Sequence, residues 1–131
     1  QGHPEPAGRA KITPGFNLPA RYVLHTVGPI IAPAGSPAHE PGVFAGVTHE
    51  AQQCLASCYR ACLDLAAEHV LVSVAFCCIS TGEFHYPPQE AAETAVTTCH
   101  AWLQANDAPM RIVFNVFKNE DLAIYRRIFQ L

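Results

Sequence analysis

The stretch Ile79-Ser80-Thr81-Gly82-Glu83-Phe84-His85-Tyr86-Pro87-Pro88 decides the fold. It follows an apolar run, VLVSVAFCCI over residues 70–79, and precedes a segment with helical periodicity. An apolar run without polar alternation predicts a strand that is buried on both faces, as in the centre of a parallel sheet. A strand, a small-residue loop and a helix in succession bring backbone N–H groups together where they can bind an anion. The stretch therefore predicts an anion site at the carboxyl end of a buried strand.

Strands and helices alternate on both sides of this loop. The predicted strands cover residues 10–13, 22–27, 70–79 and 111–117. The predicted helices begin at Thr48 as an N-cap, at the Pro87-Pro88 pair, and at Asn119 as an N-cap. The order β-β-α-β-α-β-α predicts an α/β chain with a mainly parallel sheet and right-handed crossovers. No repeat or linker divides the chain, and we interpret residues 1–131 as a single domain.

Two segments rich in proline and glycine carry no periodicity. Residues 1–8 are predicted to form a loop. Residues 29–46 are predicted to be a long connection, either functional or mobile.

Composition and charge exclude several classes of protein. Half of the 131 residues are hydrophobic and 15% are charged, which is typical of a globular chain and not of a disordered one. The net charge of −3 argues against attraction to nucleic acid or to an anionic membrane. No apolar stretch approaches the ~20 residues of a membrane span, and no signal peptide is visible. We expect neither nucleic acid nor a membrane as a partner.

The six cysteines do not have the spacing of a zinc site. Cys54, Cys58 and Cys62 lie four residues apart on one face of a predicted helix, and Cys77-Cys78 falls inside the predicted buried strand. We interpret the cysteines as reduced core thiols, which fits a cytoplasmic protein. His25, within a β-rich run, is predicted to be a core histidine with its hydrogen bonds satisfied.

Five segments in a fixed order resemble a macrodomain: Gly8–Thr13 (GRAKIT), Gly15–Ala20 (GFNLPA), Val23–Pro29 (VLHTVGP), Ser80–Phe84 (STGEF) and Val113–Phe117 (VFNVF). The resemblance covers nearly the whole chain. It implies a three-layer α/β/α fold with a mixed, mainly parallel sheet. Macrodomains bind ADP-ribose, and many hydrolyse it from modified proteins.

Two details resemble one branch of this family, the zinc-dependent protein-ADP-ribose hydrolases. They are Phe76-Cys77-Cys78-Ile79 before the loop and Glu83–Pro87 (EFHYP) within it. In that branch, further strands, a first ligand loop and the Cys and His zinc ligands precede the segment that Gly8 begins here. The resemblance therefore implies an N-terminally truncated macrodomain, with its catalytic residues expected upstream of Gln1 and no metal ligand in this chain.

The resemblance also implies which residues meet the ligand. The predicted ligand-binding residues are Ser80, Thr81, Gly82, Glu83, Phe84, Asn115 and Phe117. The loop over residues 80–84 would wrap the diphosphate and the distal ribose, although an ordinary strand-to-helix turn has the same pattern. Phe84 packs either on the ribose or in the core beneath the loop. Phe117 stacks on adenine or is a core aromatic, and Asn115 lines the ribose end or is structural.

These predictions lead to one favoured function and two alternatives. The full-length protein is expected to remove ADP-ribose from proteins with the help of zinc, its partners being ADP-ribose and ADP-ribosylated proteins. Residues 1–131 alone would bind without catalysis or be inactive. Glu83 and His85 lie close to the loop, but neighbouring residues on a tight turn often point apart, so we assign catalysis to neither. The alternatives are a non-catalytic ADP-ribose reader and a non-functional fragment.

Overall fold

The computed structural model describes residues 6–131. Its helices are α1 (His49–Glu68), α2 (Pro88–Ala105) and α3 (Asn119–Phe129). Its strands are β1 (Ala10–Pro14), β2 (Tyr22–Thr26), β3 (Ile30–Ile31), β4 (Val43–Phe44), β5 (Ser73–Phe76) and β6 (Arg111–Phe114). The predicted alternation of strands and helices is confirmed, and the segment over residues 29–46 adds β3 and β4. Within the described residues, no helix is long and apolar enough to cross a membrane.

The strands of residues 6–131 form three two-stranded sheets. β1 and β2 are antiparallel, with Ala10 opposite Thr26. β3 and β4 are parallel, and so are β5 and β6, with Ser73 opposite Arg111. The chain crosses from β5 to β6 through α2, because parallel neighbours need a long connection.

The loop predicted over residues 1–8 is described only in part. Residues 1–5 lie outside the described residues, and residues 6–8 form a turn. This turn is attached to α1 and to the residue that follows β2, because Ser57 Oγ donates to Gly8 O at 2.6 Å and the Gly8 N–H donates to Val27 O at 2.9 Å.

Helix α1 lies at the centre of the core. Thr48 caps it as predicted, because Thr48 Oγ1 accepts the Ala51 N–H at 3.1 Å and so satisfies a donor with no partner inside the helix. The Tyr59 ring of α1 packs on Phe76 of β5, with 4.8 Å between the ring centroids. Helix α1 therefore covers one face of the β5–β6 pair.

Helix α2 is joined to α1 by a tryptophan. Trp102 is 5% exposed, and its Nε1–H donates to Asp64 Oδ1 of α1 at 2.8 Å. A buried indole N–H needs such an acceptor, so the bond fixes how the two helices pack. Four side chains of α2 that face α1 and the core are buried: Ala92, Ala95, Cys99 and Trp102.

Helix α3 packs on β6 through aromatic rings. Phe114 and Tyr125 stack with 5.1 Å between their centroids. The N-cap predicted at Asn119 is wrong by one residue, because Asn119 is already helical and Lys118 takes the cap position. On α3, Leu122 is 37% exposed, whereas Ile124 is buried.

The prediction for the apolar run over residues 70–79 is wrong in two respects. The strand covers only Ser73–Phe76, and Cys77 follows it. Burial alternates along this strand, with Val74 and Phe76 buried and Ser73 and Ala75 exposed. The apolar composition suits burial on both faces. The described residues supply a covering layer on one face only.

The prediction for His25 is also wrong. His25 lies on the exposed face of the β1–β2 hairpin, where one ring nitrogen shares a hydrogen bond of 2.9 Å with Thr13 Oγ1. Thr13 and His25 are not opposite each other in the register, but they lie on the same pair of strands. A β-rich run does not by itself tell which face of a two-stranded hairpin is covered.

Candidate ligand-binding site

Two segments that carry predicted site residues lie at one edge of the β5–β6 pair. Residues 77–87 connect β5 to α2, and residues 115–118 connect β6 to α3. Because β5 and β6 are parallel, both connections start at the same edge. This is the edge at which α/β folds bind ligands.

The first connection is closed by hydrogen bonds of its own. The Tyr86 N–H donates to Ser80 O at 2.9 Å, and the His85 N–H donates to Gly82 O at 3.0 Å. Ser80 and His85 have left-handed φ angles of 68° and 63°, which turn the chain at both ends of the loop. Such φ angles are uncommon outside glycine and are held here by the surrounding bonds.

Two contacts from other segments hold the loop in place. The Ile31 N–H of β3 donates to Phe84 O at 2.8 Å. Gly28 lies against the start of the loop, where a Cβ atom would overlap Ser80 Oγ and lie 2.7 Å from Ile79 Cγ2. The loop is therefore positioned by the chain that leads from β2 to β3.

The loop presents a row of backbone donors. The N–H groups of Thr81, Gly82, Glu83 and Phe84 donate to no acceptor within residues 6–131. Gly82 and Glu83 are exposed. A Cβ atom built on Gly82 would meet nothing within 4 Å, and the φ of Gly82 is not in the left-handed region. The fold itself therefore does not require glycine at position 82.

The hydroxyl groups of the loop face the protein. Thr81 Oγ1 donates to Cys78 O at 3.2 Å. Ser80 Oγ is buried and has no hydrogen-bond partner within the described residues, and the same holds for the hydroxyl of Tyr86, which is 1% exposed. Burial raises the pKa of Tyr86. The groups available to an anion from outside are thus the backbone N–H groups.

The two predicted aromatic residues differ in their surroundings. Phe117 is 97% exposed, so its alternative role as a core aromatic is wrong. Phe117 also lies beyond the end of β6, which corrects the strand predicted over residues 111–117. Phe84 is half-buried and lies outside the core clusters of the described residues, at the wall of a cleft between β2 and β5. Phe84 is therefore not a core residue beneath the loop.

The polar residues near the loop are exposed. The Asn115 N–H donates to Phe76 O at 2.7 Å, which places Asn115 beside the end of β5. The Asn115 side chain makes no hydrogen bond within residues 6–131, which speaks against a structural role for its amide. Glu83 and His85 are exposed and likewise make no side-chain hydrogen bond within that range.

The six cysteines are all free thiols. Cys58, Cys62 and Cys99 are buried, Cys54 and Cys78 are half-buried, and Cys77 is exposed, which corrects its predicted burial. Burial raises the pKa of Cys62 and of Cys99 to about 12. Thiols with such pKa values are poor nucleophiles and poor metal ligands at neutral pH. Among residues 6–131, no three His, Cys, Asp or Glu side chains are grouped to hold a metal ion.

Comparison with known proteins identifies the family. Residues 1–95 match the model of the Macro domain. The chain belongs to the Macro domain family. The macrodomain resemblance of the separate segments is thereby confirmed, and with it the mixed α/β fold class.

The relatives of this macrodomain are longer. The chain is 51% identical over 128 residues to the protein-ADP-ribose hydrolase of Treponema medium, a match that covers 98% of this chain and 44% of the relative. It superposes on the Oceanobacillus iheyensis macrodomain with ADP at a TM-score of 0.80 and 35% identity, covering 95% of this chain and 58% of the other. For the Trypanosoma brucei macrodomain in complex with ADP-ribose, the TM-score is 0.77, the identity 31%, and the coverage 94% and 46%.

Two features of the site were not found from the sequence. One is the contact of Gly28 with Ser80, and the other is the hydrogen bond from Ile31 to the loop. From the sequence, Gly28 is known only as part of the segment Val23–Pro29, directly after the strand predicted over residues 22–27. A glycine in that position carries no local signal for a partner that lies about 50 residues further along the chain.

Proposed function

We propose that this macrodomain binds the diphosphate of ADP-ribose with the backbone N–H groups of residues 81–84. The observation that carries the proposal is the row of N–H groups without an acceptor, on an exposed loop at the carboxyl end of β5. Consecutive backbone N–H groups bind anions well. The chain has a net charge of −3, so its overall field does not attract an anion and local donors are needed.

Gly82 supports the proposal because the fold does not require a glycine at this position. A side chain at position 82 would project into open space, so the protein does not exclude one. A bound phosphate that approaches the N–H groups closely would exclude it. The solved relatives from Oceanobacillus iheyensis and Trypanosoma brucei contain ADP and ADP-ribose, which share a diphosphate.

The remaining predicted residues fit the two ends of the same ligand. Phe117 presents an exposed ring at the sheet edge where the loop lies, and it would stack on adenine. Phe84 would pack on the distal ribose from the wall of the cleft, and Asn115 would line the ribose end. Ser80 and Thr81 would contribute to binding by positioning the backbone of the loop, and not through their hydroxyl groups.

We further propose that the whole protein removes ADP-ribose from modified proteins in the cytoplasm, as the name of the Treponema medium relative suggests. Water would replace the protein side chain at the anomeric carbon of the distal ribose. Residues 6–131 would hold the ADP-ribose and orient it. Zinc remains a prediction for the full-length protein: the described residues contain no fitting set of ligands, so no step is assigned to a metal here.

Calorimetric titration of residues 1–131 tests the binding proposal. We expect ADP-ribose to bind and adenosine to bind much more weakly, because adenosine offers adenine stacking without the diphosphate. Equal affinity for the two ligands would contradict the assignment of the loop to the diphosphate.

Hydrolysis is tested separately with an ADP-ribosylated protein as substrate. We expect residues 1–131 alone to release no ADP-ribose, while the Treponema medium relative under the same conditions does. Release by residues 1–131 alone would mean that the described residues contain the catalytic groups, contrary to the proposal.

A further inference from the structure

A second concave site lies between α1 and α2, outside the loop over residues 80–84. Gln52, Gln53 and Ala56 line this groove from α1, and two glutamates and three threonines line it from α2. Its volume is ≈ 320 Å³, at the lower end of the about 300–1,000 Å³ that small-molecule sites have. The hydrogen bond from Trp102 to Asp64 holds the two helices together, so the groove is a fixed feature of the fold.

The groove is acidic. Glu90 and Glu93 line it, and both are exposed. Among the described residues that line it, none is lysine or arginine. Arg127 of α3 donates to Gln89 Oε1 at 3.3 Å, and neither of these two residues is part of the groove wall. The charge of the groove therefore favours a cation.

One hydroxyl of the groove wall has no hydrogen-bond partner. Thr98 lines the groove and is only 8% exposed, yet its side chain makes no hydrogen bond within residues 6–131. A buried hydroxyl without a partner costs free energy, and such groups in folded proteins are rare. The free hydroxyl of Thr98 therefore points to a ligand that supplies the hydrogen bond.

A second buried hydroxyl connects the groove to the loop. Burial raises the pKa of Tyr86, the Thr94 side chain lowers this pKa and the charge of Glu90 raises it, so the phenol lies beside two residues of the groove wall. The Tyr86 hydroxyl makes no hydrogen bond within the described residues. The backbone of Tyr86 closes the loop through its bond to Ser80 O. Tyr86 thus belongs to the loop by its backbone and lies next to the groove by its side chain.

The donors of an arginine side chain match the acceptors of the groove. A guanidinium presents five N–H donors in a plane and is weakly hydrated, so it binds well where several acceptors surround it. Thr94, Thr97 and Thr98 supply hydroxyl acceptors beside the two carboxylates, and the glutamines of α1 supply amide oxygens. The apolar stem of arginine would lie along the threonine methyl groups. Two carboxylates without a third His, Cys, Asp or Glu suit a metal ion less well, and the described residues group no such three side chains.

We propose that the groove between α1 and α2 binds an arginine side chain of the ADP-ribosylated protein while the ADP-ribose of that protein occupies the loop. Glu90 lies in the first turn of α2, directly after the loop, so one substrate can extend over both sites. The groove would select substrates in which a basic residue lies near the modified one. The identity of the partner rests on the proposed function, whereas the affinity of the groove for a guanidinium does not.

A nuclear magnetic resonance titration of residues 1–131 tests the groove by itself. The probe is N-acetyl-arginine amide, whose only charge is the guanidinium, and the control is N-acetyl-citrulline amide, its neutral analogue. We expect the arginine probe to shift the amide signals of Gln52, Thr94 and Thr98 to saturation with millimolar affinity. The citrulline control should leave these signals unchanged.

Charge variants provide a matched control. Glu90→Gln combined with Glu93→Gln should weaken the affinity for the arginine probe about fivefold, because exposed carboxylates contribute modestly in water. Glu68→Gln combined with Glu120→Gln removes the same charge from exposed positions outside the groove and should leave the affinity unchanged.

Thr98→Val separates a ligand-binding role of the hydroxyl from a structural one. The substitution keeps the shape of the side chain and removes a hydroxyl that has no partner in the fold. We expect the affinity for the arginine probe to fall while the urea midpoint stays the same or rises. A lower midpoint with unchanged affinity would show that the hydroxyl stabilises the fold and does not meet a ligand.

ADP-ribosylated peptides test whether the two sites act together. Each peptide carries ADP-ribose on one serine and an arginine about two to eight residues away, and a matched set has citrulline in place of arginine. At the spacing that spans both sites, we expect the arginine peptide to bind about three- to tenfold more tightly than its citrulline partner. The charge variants of the groove should remove this difference and leave the affinity for free ADP-ribose unchanged.

Two results would overturn the proposal. One is equal shifts with the arginine and citrulline probes, or no shifts at the groove, which would exclude a guanidinium site. The other is a groove that binds the arginine probe while no arginine peptide gains affinity, which would exclude a role in substrate binding. If free ADP-ribose did not bind, the proposed function and the partner would both be refuted, but shifts with the arginine probe would still support the groove as a guanidinium site.

Discussion

Two glycines near the loop are expected to respond differently to substitution, and this difference tests the site most directly. Gly82 faces open space, whereas Gly28 is in contact with Ser80 and Ile79. We consider Gly82→Ala and Gly82→Val on one side and Gly28→Ala on the other. If the loop is a diphosphate site, the substitutions at position 82 weaken ADP-ribose binding without loss of stability, whereas Gly28→Ala lowers the stability of the fold.

The expected stability changes follow from the space around each Cβ atom. At position 82 the new side chain meets no atom within 4 Å, and the φ is not left-handed. Gly82→Ala should therefore leave the free energy of unfolding unchanged or raise it by about 0.4–1 kcal/mol, because the unfolded chain loses freedom. At position 28 the new methyl group lies 2.7 Å from Ile79 Cγ2. Gly28→Ala should lower the free energy of unfolding by about 1–3 kcal/mol through overpacking.

The expected binding changes follow from the N–H donors. A side chain at position 82 keeps an anion away from the loop and costs at least one hydrogen bond to a charged oxygen. Such a bond contributes about 1.5–3 kcal/mol, which corresponds to roughly a 10- to 150-fold change in Kd. Gly82→Val, with the larger side chain, should weaken binding more than Gly82→Ala does.

On the same samples, urea unfolding measures the free energy of unfolding and calorimetric titration measures the Kd for ADP-ribose. Adenosine is the control ligand, and its affinity should be the same for the parent chain and for the variants at position 82. An unchanged Kd for ADP-ribose in Gly82→Val would refute the diphosphate assignment. A loss of stability in Gly82→Ala larger than that in Gly28→Ala would refute the structural description of the two glycines.

Three other predictions concern the adenine contact, the helix pair and the thiols. Phe117→Ala should weaken ADP-ribose binding by about 1–3 kcal/mol, while Phe16→Ala, which truncates an 86% exposed ring in the hairpin turn, should leave the titration curve unchanged. Trp102→Phe should lower the unfolding free energy by about 1–2 kcal/mol, and Asp64→Asn, which keeps an acceptor oxygen, should cost less in the same urea titration. Burial raises the pKa of Cys62 from 9.0 to about 12, so above pH 9 the unfolded chain releases a proton that the folded chain keeps. Stability should therefore be constant up to about pH 8 and fall between pH 9 and 12, and a urea midpoint that rises over that range would contradict the burial of these thiols.

The order of elements and the place of the loop were readable from local patterns. The cap at Thr48 depends on a side chain and an N–H only three residues apart, so a short stretch of sequence contains all that is needed. The loop over residues 80–84 follows an apolar run and precedes the Pro87-Pro88 pair, which is again local information. The structure confirms that the loop lies between β5 and α2.

The burial of individual side chains was not readable in the same way. The run over residues 70–79 is apolar throughout, yet Ala75 is exposed because the described residues leave that face of β5 uncovered. His25 lies in a β-rich run and is exposed because its hairpin is covered on one face. Both errors arise because burial depends on a second layer, which the composition of one strand does not describe.

The sequence by itself determined the α/β class, the order of the helices and strands, and the loop that resembles the phosphate loop of a macrodomain. Only the tertiary structure decided which atoms of that loop can reach a ligand. It directs the hydroxyl of Thr81 to Cys78 O and leaves the N–H groups of residues 81–84 without acceptors. It also shows that Gly28 lies against Ser80 whereas Gly82 faces open space. Sequence alone does not show this difference, because contacts between residues distant in sequence exist only after the chain has folded.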